Sequence, residues 1–204
     1  MTIHSVVFRH LVSAWMSHTL PVAVALCIVL VSCAQAIGFL PFLIWLHFPA
    51  YLIHQCEEYV FPGGFKHAFS MTVGKMFSHN SEACLSDSEI CIINVVIVWF
   101  GHLVCCLFAQ HCALSIGVLL PVFALFNALL HIIITIRMKY YNPGVVTSVG
   151  IFIPLASYTL YQLHQNSYIT FFNIFLAITV AVALHAGIIY FVVIKARAIK
   201  LNKH

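Results

Sequence analysis

A histidine and two glutamates stand together near the end of an apolar stretch, in the order His54-x-x-Glu57-Glu58. In a helix, residues three and four positions apart share a face, so the imidazole and both carboxylates would form one patch. The chain has only five acidic residues. Ionisable groups at membrane depth cost roughly 2.5–3.5 kcal/mol each on insertion scales. These three side chains are therefore the first candidates for a functional site.

Further polar side chains are expected at the same depth in other apolar stretches. At 1.5 Å per residue, His54 lies about 10 Å inside the predicted membrane boundary, and His131 lies at about the same depth. Asn127 is one turn deeper than His131 on the same helix face, and His185 lies about 15 Å inside. The first turns of two more stretches add Asn94 and Thr147. We expect one polar layer to which several helices contribute.

This set of side chains is suited to binding a metal. Imidazole and carboxylate together suit Zn²⁺ or non-haem iron, and Glu-x-x-His spacing, reversed here, builds di-iron sites in helix bundles. A bound cation would activate water for hydrolysis, or O₂ in the case of iron. We predict a divalent metal, zinc or iron, with ligands drawn from His54, Glu57, Glu58, His131 and His185. The catalytic candidates are His54, Glu57 and Glu58, where a carboxylate that does not bind the metal would be the general base.

Three other interpretations stay open. A metal-free glutamate–histidine pair would move protons on a lipidic substrate, as an isomerase does. A proton-coupled transporter ranks third, because carriers favour internal repeats and broken helices, and the sequence shows neither. Structural roles compete as well: Glu57 and Glu58 would lie among lipid headgroups beside basic residues, and His131 and Asn127 would hydrogen-bond between helices.

The composition indicates a membrane protein. Of 204 residues, 63% are apolar and 7% are charged, whereas soluble proteins carry about 25% charged residues. We predict an all-α fold, a polytopic membrane helix bundle of about six transmembrane helices. The net charge of +4 comes from basic residues scattered among loops and a tail, which does not indicate nucleic-acid binding. A lipid or another amphiphilic small molecule is the expected partner.

Six apolar stretches are long enough to cross a bilayer, which takes about 20 residues. They are 20–38, 42–60, 91–109, 114–136, 145–162 and 169–194. If the N-terminus is cytoplasmic, all nine lysines and arginines fall on the cytoplasmic side, as the positive-inside rule requires. We therefore predict a multi-pass protein with both termini in the cytoplasm, in the inner membrane if the chain is bacterial. The polar layer would then lie in the cytoplasmic half.

The chain divides into an N-terminal extension with the first transmembrane helix, a membrane domain and a basic cytoplasmic tail, at 1–40, 41–194 and 195–204. The loop at 61–90 is either a surface lid or a flexible connector. Tyr141-Asn142-Pro143-Gly144 predicts a tight turn, because proline suits its second position and glycine its third. This turn would keep His131 and Thr147 close together.

Three motifs follow one another along the chain. They are His54-Gln55-Cys56-Glu57-Glu58 with Pro62-Gly63-Gly64-Phe65 after it, Asn127-Ala128-Leu129-Leu130-His131, and Tyr141-Asn142-Pro143-Gly144-Val145-Val146-Thr147. In this order they resemble the HXXEE-domain family of integral membrane proteins, over about residues 42–190. The resemblance implies an enzyme. Its site residues carry over to His54, Glu57, Glu58 and His131, whereas His185 matches only as a histidine in the last span.

The residues and the resemblance together predict an integral membrane enzyme that acts on a lipidic or amphiphilic substrate. We expect a metal-dependent hydrolase or an oxidoreductase-like enzyme. His54, Glu57 and His131 would be ligands, and Glu58 would be a ligand or the base. The supporting residues would be Asn127, Asn94 and Thr147.

Overall fold

The computed structural model describes residues 3–77 and 85–201. His79 and Glu82 of the predicted loop, and the last three residues of the predicted tail, lie outside the described residues. The described residues form seven helices and no strand. The helices are α1 (Ile3–Ile37), α2 (Phe39–Tyr59), α3 (Phe65–Phe77), α4 (Asp87–His111), α5 (Leu114–Met138), α6 (Val145–Gln165) and α7 (Phe171–Leu201).

Six of these helices are long and apolar enough to cross a membrane, and α3 is the exception. This result confirms the predicted all-α bundle of about six spans. The main difference in bounds concerns the first span, which is expected to start at residue 20 but belongs to a helix that starts at Ile3. The reason is that α1 continues through Pro21 instead of starting beside it.

A single residue separates the first two spans. Gly38 has a φ of 83° and follows the last residue of α1. Residues with a Cβ rarely adopt this left-handed conformation, whereas glycine adopts it readily. The glycine therefore divides one long apolar run into α1 and α2, which pack along each other.

Helix α2 lies at the centre of the bundle and is the most buried of the six spans. It packs against α1, α4, α5 and α6. Around Tyr51 its neighbours include Ala124, Ala128 and Ala156, whose small side chains let helix backbones approach closely. This packing takes the polar residues of α2 into the interior: His47, His54, Gln55, Glu57 and Glu58 are all buried.

The predicted loop at 61–90 contains a helix that packs on the bundle. Helix α3 contacts α2 and α7. Lys66 near its start donates to Asp87 Oδ1 of α4 over 2.6 Å. Residues 65–77 of this loop are therefore a packed helix, and the choice between a lid and a flexible connector stays a prediction for the loop as a whole.

Two helices contain wide π-helical turns, at Ile92–Trp99 in α4 and Ser148–Phe152 in α6. Such turns are rare and often occur at functional sites. The turn in α6 comes directly after Thr147. It brings the Phe152 ring to 4.5 Å from the His54 ring, measured between centroids.

Candidate functional site

Three buried side chains from two helices converge on one point. His54 and Glu58 lie one turn apart on α2, and His131 lies on the facing side of α5. Glu58 Oε1 is 3.5 Å from His54 Nε2 and 3.3 Å from His131 Nε2. The three residues are between 0% and 5% exposed. We call this group the His/Glu centre.

The spacing of the His/Glu centre is that of a metal ligand set. One ligand atom from each residue can be chosen so that all lie within 4.8 Å of one another. Zinc bonds of about 2.0–2.2 Å in a tetrahedron place neighbouring ligand atoms roughly 3.3–3.6 Å apart. The two measured carboxylate–imidazole distances fall in or close to that range. Three protein ligands leave a fourth position open, as in catalytic zinc sites.

The ring nitrogen of His54 that points away from Glu58 is hydrogen-bonded to the hydroxyl of Thr147. This atom, Nδ1, is 2.8 Å from Thr147 Oγ1, and Thr147 Oγ1 donates to Glu57 Oε2 over 2.5 Å. A hydroxyl has one hydrogen, so Thr147 accepts from the Nδ1–H of His54. The Nε2 of the neutral ring therefore carries a lone pair. This nitrogen is buried, has no hydrogen-bond partner and faces the Glu58 carboxylate. A lone pair and a negatively charged oxygen repel each other, and a cation bound between the two atoms would turn this repulsion into attraction.

The ring nitrogen of His131 that points away from Glu58 is hydrogen-bonded to the side-chain amide of Asn142. Asn142 Nδ2 lies 2.9 Å from His131 Nδ1 and donates to it. In this arrangement the neutral ring carries its proton on Nε2, which faces Glu58 Oε1. Rotation of the Asn142 amide by 180° presents Oδ1 instead, and then Nε2 becomes the lone-pair atom. Asn142 thus decides whether His131 donates to Glu58 or is ready to bind a metal.

Gly144 makes room for both imidazoles. A Cβ at this position would lie 2.5 Å from His131 Cε1 and 2.7 Å from His54 Cε1. Its φ of 100° is also in the region that favours glycine. The turn before α6 can approach the His/Glu centre this closely only because residue 144 has no side chain.

Glu57 points to the start of α6 and not into the His/Glu centre. Its carboxylate accepts from the backbone N–H groups of Val146 and Thr147 over 3.0 and 2.7 Å, and from the Tyr141 hydroxyl over 2.6 Å. Backbone N–H groups at a helix start favour a negative partner. Burial, with the hydrogen bond to Glu57 as a further cause, raises the pKa of Tyr141, which lies outside the spans. Metal binding by Glu57 stays a prediction, and these three contacts, together with the hydrogen bond from the Thr147 hydroxyl, indicate an anchoring role.

Neither glutamate contacts a described lysine or arginine, so the headgroup alternative is not the arrangement found. Glu57 and Glu58 are 6% and 5% exposed. Of the three basic partners expected for them, Lys66, Arg137 and Lys139, none forms an ion pair with either carboxylate, and Lys66 is paired with Asp87. Their burial places both carboxylates among helices instead of among lipid headgroups.

The two predicted supporting asparagines hydrogen-bond to other side chains. Asn94 accepts from Gln55 Nε2 over 2.7 Å and donates to the Tyr59 hydroxyl over 3.2 Å, which ties α4 to α2. Asn127 donates to the Tyr51 hydroxyl over 2.9 Å, while its own Oδ1 is buried without a partner. The third supporting residue, Thr147, is in direct contact with His54.

His185 lies beside the His/Glu centre and is not one of its three members. Its Nδ1–H donates to the Ala181 carbonyl over 2.8 Å. Its ring packs between Phe123 and Phe126, at centroid distances of 5.0 and 4.9 Å. Its role as a ligand stays a prediction.

A cavity of about 290 Å³ adjoins the His/Glu centre. Glu58, His131, Asn127 and His185 contribute polar groups to its wall, and most of the remaining wall is apolar. Ligand pockets of about 300–1,000 Å³ are typically lined in this way, with a few polar groups on apolar walls. Ile133 lies in the wall and is also 47% exposed on α5, so the cavity reaches the side of the bundle.

Sequence reasoning missed three residues that position the centre: Tyr141, Asn142 and Gly144. The signal was present, because all three belong to the turn motif before α6. By itself the motif predicts a hairpin that brings Thr147 near His131. The structure adds that the turn itself contacts both imidazoles and Glu57.

Comparison with known proteins identifies a family. Residues 45–159 match the family model HXXEE, whose description is "Protein of unknown function with HXXEE motif". The matched region contains the His/Glu centre and the turn before α6, and it ends before His185. No curated protein and no solved structure matches the chain. Because the matched region covers more than half of the 204 residues, this chain belongs to the HXXEE family.

Proposed function

We propose that this protein is an integral membrane enzyme in which the His/Glu centre binds a divalent metal, zinc or iron, next to an amphiphilic substrate. The observation that carries the proposal is the convergence of two imidazole Nε2 atoms on one carboxylate oxygen, with both Nδ1 atoms held from behind. Histidines that bind metals usually donate their second ring N–H to such a partner, as His54 does to Thr147 and as His131 would do once the Asn142 amide turns its Oδ1 toward Nδ1.

The residues present fit a cation. His54 Nε2 is a buried lone pair without a partner, opposite a carboxylate. Two imidazoles and one carboxylate are a donor set that suits zinc or non-haem iron. Bound there, zinc would supply Lewis acidity for a hydrolysis, and iron would supply redox chemistry for an oxidation.

The protein's own residues provide position and exclude water. Thr147 orients His54, Asn142 orients His131, and Glu57 fixes the start of α6, from which Thr147 projects. The cavity would hold the apolar part of the substrate and place its polar end beside Glu58. Apolar walls around the reacting group strengthen each electrostatic interaction made there.

The site is proposed to face the cytoplasm. Lys66, Lys139 and Lys195 lie at the ends of the helices on the side of the His/Glu centre, and the positive-inside rule places such residues in the cytoplasm. A substrate would then reach the cavity from the cytoplasmic leaflet.

Metal analysis of the purified full-length protein tests the proposal. We expect about one zinc or iron per chain, and we expect Glu58→Gln to lower the metal affinity by tenfold or more, on the order of a lost ligand contact. Glu89→Gln is the matched control, because Glu89 pairs with Lys195 away from the centre. Absence of stoichiometric metal in the wild-type protein, after growth with zinc and with iron, would overturn the metal proposal.

One observation favours a second candidate, a metal-free acid–base enzyme. As placed, Asn142 donates to His131, so that His131 donates to Glu58 and no cation is needed on that side. Asn142→Asp separates the two candidates, because a carboxylate can only accept and forces the His131 proton onto Nδ1. A metal centre should then bind its ion as tightly or more tightly. A metal-free site should lose activity, because His131 no longer donates to Glu58.

A further inference from the structure

The wall of the cavity contains an amide with an unmet hydrogen-bonding group. Asn127 uses Nδ2 for the Tyr51 hydroxyl, and its Oδ1 is buried without a partner. A buried polar group left unpaired costs about 1–3 kcal/mol, so such groups usually have a partner when the protein works. Asn127 lines the cavity, so a ligand there could provide this partner.

A second acceptor lies in the same wall. His185 uses its Nδ1–H for the Ala181 carbonyl, so Nε2 of the neutral ring carries a lone pair. Packing between Phe123 and Phe126 fixes the plane of the ring. Asn127 and His185 project from α5 and α7, so a ligand between these two helices could reach both.

The wall offers no positive side chain to a ligand. No lysine or arginine of the described residues lines the cavity, and Glu58 is its one acidic residue. At this end of the bundle Lys66 and Lys195 are paired with Asp87 and Glu89, and Arg137 and Lys139 do not line the cavity. Phosphate and carboxylate groups are normally recognised by arginine, lysine or several convergent N–H donors. An anionic head group would meet only lone pairs at Asn127 and His185, and the proposed metal would be its one positive partner.

We propose that the substrate is an uncharged amphiphile with a hydroxyl-bearing head group and one apolar chain, and that Asn127 and His185 select this head group. The inference rests on the proposed function, since it concerns the ligand of the same cavity. A hydroxyl both donates and accepts, so it satisfies either end of the Asn127 amide and the lone pair of His185. A single chain suits a cavity of about 290 Å³ that reaches the side of the bundle at Ile133.

Photolabelling in a membrane tests this choice. Full-length protein in phosphatidylcholine vesicles receives a monoacylglycerol with a diazirine in its acyl chain, or the lysophosphatidic acid with the same chain. Labelled peptides of α5 and α7 are then counted by mass spectrometry. We expect the monoacylglycerol to label the cavity wall roughly five- to tenfold more, on the order of one or two hydrogen bonds. Equal labelling, or stronger labelling by lysophosphatidic acid, overturns the inference.

Variants assign the preference to the named side chains. Asn127→Leu should reduce the preference to about twofold or less, since one hydrogen bond is lost. Asn166→Leu is the matched control, because the Asn166 side chain follows the end of α6, donates to the Gln162 carbonyl and does not line the cavity. If Asn127→Leu does not fold, His185→Phe replaces it, as a phenyl ring fits between two phenylalanines. A preference that survives in both variants overturns the assignment.

Metal content, measured on the same samples, separates the two proposals. Bound metal without a head-group preference refutes the present inference and leaves the proposed function standing. A head-group preference in a protein that never binds metal refutes the metal proposal and supports the present inference.

Discussion

Helix α2 buries two histidines two turns apart, and their surroundings differ. His54 faces Glu58 and His131, whereas His47 faces the Thr159 hydroxyl over 3.2 Å and has no carboxylate beside it. Both are almost fully buried, at 0% and 1% exposed. His47 also has an unpaired ring nitrogen, Nδ1. We call the surroundings of His47 and Thr159 the His47 site.

Burial and an unpaired nitrogen are therefore common to both places and do not define a functional site. What distinguishes the His/Glu centre is convergence, since a second imidazole and a carboxylate aim at the same point as His54. At the His47 site the Thr159 hydroxyl forms a structural hydrogen bond between α2 and α6, and the nearby His102 ring bonds to the Val98 carbonyl of its own helix instead of aiming at the same point as His47. The His47 site is thus an internal control for each test of the centre.

The largest difference is expected when each histidine is replaced by glutamine. His54→Gln removes a ligand, and we expect the metal content of purified protein to fall from about one ion per chain to less than a tenth of that. His47→Gln should leave the metal content unchanged. Elemental analysis of both variants, after the same purification, measures the effect. Equal metal loss in the two variants would show that the loss comes from general damage to the bundle.

A second comparison uses two glycines with tight surroundings. Gly144→Ala drives a methyl group against both imidazoles of the centre and also strains a φ of 100°. We expect a loss of about 2–5 kcal/mol of unfolding free energy and at least a tenfold loss of metal affinity. Gly117→Ala drives a methyl group against Ile44, which is far from the centre. Gly117→Ala should lower the unfolding free energy by about 1–3 kcal/mol and leave the metal affinity unchanged.

Thermal unfolding in detergent and metal titration separate these two glycine effects. The essential outcome is the difference in metal affinity, because both alanines are expected to destabilise the fold. If Gly144→Ala binds metal like the wild type, then the imidazoles do not need their observed positions and the ligand assignment is wrong.

A third comparison replaces the two threonines that contact the histidines. Thr147→Val keeps the shape and removes the hydroxyl that accepts from His54. Loss of a partner that orients a metal-binding histidine typically costs 10–100-fold in metal affinity. Thr159→Val makes the same change at the His47 site and should not alter metal affinity. Competition with a chelator of known affinity measures both, and identical values for the two variants would contradict the assigned role of Thr147.

Much of this arrangement could be predicted from sequence, because it depends on short-range rules. Apolar runs of about 20 residues predict spans, and the i, i+4 relation predicts that His54 and Glu58 share a face. Matching depth on another span predicted that His131 would lie near them. These are consequences of helix geometry and need no knowledge of packing.

The different roles of Glu57, which anchors α6, and Glu58, which faces the two imidazoles, could not be predicted in this way. Adjacent residues on a helix point about 100° apart, and sequence alone does not say which direction faces which neighbour. The position of α6 determines which glutamate faces which neighbour. Its first N–H groups and Thr147 bind Glu57, so Glu58 is the carboxylate that faces the two imidazoles. The contributions of Asn142 and Gly144 also depend on how closely the turn approaches α2 and α5, which is a tertiary property.

The smallest expected effect concerns Tyr141, which bonds to the Glu57 carboxylate from outside the spans. Its pKa is raised, so the phenol and its hydrogen bond stabilise the fold fully below the ordinary tyrosine pKa of about 10. That stabilisation is lost as the pH rises through the higher folded-state pKa. Tyr141→Phe should lower the unfolding free energy at pH of about 8 by about 0.5–1.5 kcal/mol, the contribution of one hydrogen bond.

The deficit of Tyr141→Phe should shrink at strongly alkaline pH, because the wild type then loses the same bond. Tyr140→Phe is the control, since its hydroxyl is 3.5 Å from Thr72 Oγ1 and contributes less. Thermal unfolding of the three proteins at neutral and alkaline pH provides the measurement. A deficit that grows with pH would mean that Tyr141 does not donate to Glu57. The start of α6 would then depend on the backbone N–H groups and Thr147 alone for its attachment to α2.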